Sequence, residues 1–104
     1  MASTTWTTTG VFTGPGGVLT GEAGTLTGEL TVRTTWEQEQ AHVAVQYVGA
    51  SEWYTLAGSP VSCPSPEAGR SVHQSAVDAV RTGGSAPFAP WPITSAVPRG
   101  TTTA

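Results

Sequence analysis

The sequence predicts an α+β domain: an antiparallel β-meander of about five strands, one C-terminal helix packed on the sheet, and a Pro-rich tail. Three observations predict it. A seven-residue rhythm fills residues 11–31 as VFTGPGG, VLTGEAG and TLTGELT. Two runs rich in β-branched and aromatic residues follow, AHVAVQYV and EWYTLAG. Ser65-Pro66-Glu67 then opens a helical stripe that Gly83-Gly84 stops.

The 104 residues hold one hydrophobic core and leave no room for a second domain. We place a single β-rich domain with its terminal helix at 1–84 and a Pro-rich C-terminal strap or tail at 85–104. Hydrophobic residues make up 38% and charged residues 11%, and Thr and Gly are abundant, which suits a compact sheet better than a helical bundle or a disordered chain.

The rhythm of seven equals five strand residues plus a two-residue turn. With Pro15-Gly16 as the first loop, Phe12 lies opposite Leu19; with Glu22-Ala23 as the second, Leu19 lies opposite Leu26. Alternation then puts Leu30, Val32 and Trp36 on the face of Leu26, and Trp6 on the face of Phe12. Thr25, Thr27, Glu29, Thr31 and Arg33 fall on the other, wet face, and Val11 and Val18 point outward as exceptions.

Beyond the Glu/Gln-rich connection WEQEQ, the runs flanking Gly49-Ala50-Ser51 read as a second hairpin, with Val43, Val45 and Tyr47 on one face. In its second arm Trp53 and Thr55 oppose Tyr54 and Leu56, and the pattern leaves the buried side open. Pro60, Pro64 and Pro66 remove backbone donors, so SPVSCPSP is expected to leave the sheet. Ser65 suits a helix cap, Pro66 the first helical position and Glu67 the positive end of the dipole. The helix should run to Thr82, with Arg81 in its last turn and Val72, Ala76 and Val80, flanked by Val77 and Ala79, as a narrow apolar stripe. Pro87, Pro90, Pro92 and Pro98 make the tail an extended strap to about Ile93, anchored by Phe88 and Trp91, with a loose end.

Composition also limits function. The chain has no Lys, so Schiff-base and lysine general-base chemistry are excluded. Lys and Asn are missing and Ile93 is the sole Ile, which points to a GC-rich bacterial or phage genome. A net charge of −3 and scattered arginines (Arg33, Arg70, Arg81, Arg99) speak against nucleic acid. Cys63 stands alone, which rules out an internal disulfide and a Cys-based zinc site. MASTTWTTTG has neither a basic nor an apolar leader region and no run reaches membrane-spanning length, so the expectation is a cytoplasmic protein without membrane, metal or cofactor.

Several groups carry candidate chemistry. Cys63 and His73 could pair as nucleophile and base, but Cys63 sits in a Pro-rich linker with no orienting acid, and a packed thiol is the simpler reading. His73 and Asp78 lie about 140° apart around a helix, which does not suit a shared metal. Glu37, Glu39 and His42 form the densest ionisable cluster, suited to acid/base work, to holding a cation through oxygen ligands, or simply to a solvated strand connection. A Thr row at Thr25, Thr27 and Thr31 could match sugar or ice, though Glu29 and Arg33 interrupt it. The glycines lack the spacing of phosphate loops and read as turn residues.

Aromatics are the better lead. Trp53, Tyr54 and Trp91, if exposed, make an adhesive patch for a protein partner or a second copy. The expected function is therefore a non-catalytic protein-interaction or binding module, with self-association as one form. The competing expectation is a small enzyme or ligand carrier with a pocket between sheet and helix, lined by Tyr47, Trp53 and His73.

Overall fold

The computed structural model describes residues 3–85 and 87–89, so Trp91 and the remainder of the expected strap lie outside the described residues. In chain order the elements are β1 (Thr4–Phe12), β2 (Val18–Thr20), β3 (Gly24–Leu26), β4 (Glu29–Glu37), β5 (Gln40–Tyr47), β6 (Tyr54–Thr55), β7 (Val61–Ser62) and α1 (Pro66–Thr82). The main sheet is antiparallel and five-stranded, in the order β1-β4-β5-β6, with β7 also on β5. The helix packs across β1, β4 and β5. The expected α+β class with one C-terminal helix on an antiparallel sheet is therefore what the chain adopts.

The connectivity of the first third differs from the expected run of consecutive hairpins. Strand β1 skips β2 and pairs with β4, while β2 and β3 form a separate two-stranded sheet. Thr20 pairs with Gly24, which leaves three residues in the turn instead of two. The Thr20 hydroxyl closes that turn, donating to the Gly24 carbonyl at 2.7 Å and accepting the Ala23 N–H at 3.0 Å. One extra turn residue moves the register by one and exchanges faces. Val18, not Leu19, lies opposite Leu26, and both are buried.

The expected ladder of Phe12, Leu19 and Leu26 does not exist. A bulge between Thr8 and Val11, containing Gly10 at φ +77°, turns β1 so that Val11 enters the core at 1% exposure and Phe12 stands 65% exposed opposite Glu29. No β1–β2 hairpin forms because residues 14–17 are tied to the end of α1. Gly14 N–H donates to the Val80 carbonyl, Gly84 N–H to Pro15 and Ser85 N–H to Gly17.

Downstream, the pattern matches more closely. WEQEQ is not a loose connection: Gln38 and Glu39, at φ 51° and 60°, form a two-residue turn that sets Glu37 opposite Gln40. The β5–β6 hairpin is present, and its inward side is that of Tyr54 and Leu56. The Pro-rich linker does rejoin the sheet for two residues, since Val61 and Ser62 pair with Ala41 and Gln40 between Pro60 and Pro64. An edge pair that short needs few of the donors proline lacks.

Ser65 caps α1 by accepting the Ala68 N–H, and Gly83 ends it. Its buried face is wider than the valine stripe, comprising Gly69, Val72, His73, Ala76, Val77 and Val80. Against it stand Leu30, Val32 and Thr34 from β4 and Val43 and Val45 from β5, each at most 1% exposed. Burying each valine or leucine contributes about 1.5–3 kcal/mol. Phe88 is also buried, and its N–H donates to the Ala57 carbonyl at 2.7 Å. No described helix is long and apolar enough to cross a membrane.

Candidate docking face

A sheet with one helix on one side has a second side, and alternation decides what it carries. On β4, Leu30, Val32, Thr34 and Trp36 turn toward the helix, so Glu29, Thr31, Arg33, Thr35 and Glu37 turn away. Register adds their neighbours. Thr7, Arg33, Ala44 and Thr55 form one cross-strand row, and Thr5, Thr35 and His42 form the next. The Thr5 and Thr35 hydroxyls meet at 3.3 Å.

Arg33 stands near the middle of this outer face with its guanidinium 3.9 Å from the centroid of the Trp53 ring. Stacking holds the planar cation in place while leaving its N–H edge for a partner. Among the described residues no carboxylate pairs with it. At one end of the face Phe12 lies opposite Glu29, and Val48 N–H donates to the Glu29 carbonyl. Phe12 and Val48 are the exposed large hydrophobics of the described chain, at 65% and 44%.

Glu22 fastens the β2–β3 turn to this sheet. Its carboxylate accepts the Thr55 N–H at 2.7 Å and the Thr55 hydroxyl at 2.8 Å, and these bonds hold its pKa below the ordinary value.

The residues singled out from sequence divide accordingly. Trp53, Glu37 and His42 share the outer face. Tyr54 does not join Trp53 in one patch: it packs toward the core, and its hydroxyl donates to Glu52, whose charge pushes the phenol pKa up. Glu39 occupies the β4–β5 turn, where its carbonyl accepts the Cys63 N–H. The expected Thr row is broken up, because Thr25 belongs to β3 and Thr31 is buried beside the bulge. Phe12, Arg33 and Val48 were missed as site residues, although Gly10 inside a β pattern was a readable sign of a bulge.

His73 lies on the buried face of α1. It is 7% exposed, with Nδ1 2.9 Å from the Thr34 hydroxyl and Nε2 2.9 Å from the Thr8 hydroxyl. Both ring nitrogens are thus occupied by threonines, and burial pushes the pKa down. Cys63 forms no pair with it. That thiol is buried, donates to the Ser65 carbonyl at 3.4 Å, and has its pKa pushed up by burial, which disfavours the nucleophilic thiolate. Among the described residues no His, Cys, Asp and Glu side chains gather in a group of three that could hold a metal.

A cleft of about 300 Å³ lies between β2, the last turns of α1 and the segment after it. Val18, Leu56, Val80 and Phe88 give it apolar walls, and Ser75 and Thr82 add hydroxyls. Tyr47, Trp53 and His73 do not line it, and among the described residues neither does any ionisable side chain.

Comparison with known protein families, with curated proteins and with solved structures finds no match.

Proposed function

We propose that this chain is a non-catalytic, cytoplasmic protein-interaction module that docks a partner segment on the outer face of its sheet, with a partner carboxylate received by Arg33. The observation that carries this reading is Arg33 stacked on Trp53 with no carboxylate partner among the described residues, on the same face as the exposed Phe12 and Val48. A guanidinium oriented in advance suits bidentate recognition of a carboxylate, and Phe12 and Val48, at the Glu29 end of the same face, offer a separate apolar contact to the same segment.

The test is selection of peptides from a random display library on the immobilised full chain, repeated with Arg33→Ala and Trp53→Ala. Enriched peptides should combine Asp or Glu with apolar residues and be lost on both variants. Enrichment of uncharged peptides that bind the variants equally well refutes the reading.

The cleft favours a second reading, a carrier of a small ligand, because its volume of about 300 Å³ reaches the lower end of ligand pockets. Its lining calls for an uncharged, largely apolar molecule. Thermal stabilisation by small uncharged aromatics, abolished when Ala79→Phe fills the cleft, supports this alternative.

A further inference from the structure

We infer that β1 is a strand-addition edge whose occupant is β1 of a second copy of this chain, paired antiparallel over Thr4–Thr8 so that Trp6 meets Trp6 and Thr5 meets Thr7. The inference goes beyond the docking face, since it concerns the edge of the sheet and not its side.

Strand β1 has β4 on one side and, among the described residues, no strand on the other. Alternate backbone N–H and C=O groups along that edge have no ladder partner, and the chemistry that satisfies such a row is another extended backbone. The two edges of the sheet differ in how they are guarded. At the far edge β6 and β7 are two residues each, Pro60 and Pro64 flank β7, and Thr20 bridges to Leu56 beyond β6. At the near edge the strand runs nine residues, TTWTTTGVF, with no charge and no proline. Its one guard is the bulge at Gly10, which ends regular pairing after Thr8.

The side chains say why the occupant is a second copy. An isologous antiparallel pair sets only the residue on the two-fold axis, Trp6, against its equivalent and repeats every other contact twice, so a charge near the axis would lie close to its own duplicate. Thr4–Thr8 carries none. Threonine against threonine is a contact β1 already makes with β4, through Thr5 and Thr35 at 3.3 Å. On the helix side Trp6 is half-buried, over Gly69, and pairing would cover the rest of its ring. The joined sheets would carry two Arg33–Trp53 stacks on one continuous outer face.

The test is sedimentation equilibrium of the full chain from low to high micromolar concentration, with the wild type, Thr5→Lys/Thr7→Lys and Thr5→Glu/Thr7→Glu. Both threonines are exposed, so the variants keep the wild-type circular dichroism. The wild type should reach twice the chain mass, and each variant should associate at least about tenfold more weakly because like charges oppose directly. An equal mixture of the two variants should restore the doubled mass as a heterodimer. Arg33→Ala should leave the wild-type mass curve unchanged, which separates edge pairing from face docking. A wild type that stays monomeric throughout, lysine and glutamate variants that each dimerise as tightly as the wild type, or a mixture that fails to associate overturns the inference.

Discussion

Trp53 carries the guanidinium of Arg33 over its ring at 3.9 Å, on the side of the sheet that faces away from the helix. An exposed stack of this kind contributes about 0.5–1 kcal/mol, so its removal barely alters the fold. Arg33→Ala and Trp53→Ala should therefore shift urea unfolding by no more than about 1 kcal/mol. Affinity for a selected acidic peptide should fall about tenfold or more, as for a lost charge-assisted hydrogen bond. Arg33→Lys should recover only part of it, because an ammonium lacks the planar fork. Denaturation and fluorescence titration check both.

The register of β1 makes an opposed pair of predictions. Val11→Ala should cost about 2 kcal/mol as a buried truncation. Phe12→Ala should change stability by less than about 0.5 kcal/mol, since the ring is exposed. The reverse order in chemical denaturation would show that the bulge at Gly10 is misplaced.

His73 predicts a pH dependence with a definite sign. Burial lowers its pKa below the ordinary 6.5, so the folded chain keeps the ring neutral while the unfolded chain takes up a proton as pH falls through that value. Stability should be level above about pH 7 and decline below about pH 6.5, flattening once the lowered folded pKa is passed. Urea midpoints across this range measure it. His73→Gln should lose this component of the slope.

Glu22 holds the β2–β3 turn on β6 through Thr55. Its pKa is lowered, so its stabilising contribution is present above the ordinary carboxylate pKa and is lost as pH falls through the lowered value. Glu22→Gln should speed hydrogen exchange at the Gly21 and Ala57 amides, which bond across the same junction, and leave Val32 protected.

Gly69 lets α1 approach the sheet closely. A Cβ there would lie 2.9 Å from the Trp6 ring and 3.2 Å from the Trp36 Cβ. Gly69→Ala should cost about 1–3 kcal/mol through overpacking, despite the better helix propensity of alanine. A thermal melt decides between the two effects.

Legibility followed how local the governing physics was. Helix α1 was readable from Ser65 to Gly83 because caps and stripe are short-range signals. The sheet interior of β4 and β5 was readable because alternation through Leu30, Val32, Val43 and Val45 is strict. The first third of the chain was misread because residues 14–17 bond to the end of α1 instead of closing a hairpin, while a three-residue turn at Gly21–Ala23 and a bulge at Gly10 each shift register by one. Period alone does not distinguish them from two-residue turns. Trp53 was identified from composition, but its partner Arg33 was not, since they are joined only by the β4–β5–β6 register. The setting of His73 was not readable because its two threonine partners lie on β1 and β4, far away in sequence.

The most direct measurement is NMR titration of a selected acidic peptide into the isotope-labelled full chain. Docking on the outer face predicts perturbations at Arg33, Thr35, His42 and the Trp53 indole, with Ser75 and Ala79 unmoved. Perturbations confined to Ser75, Ala79 and Phe88 would contradict the account and place recognition in the cleft.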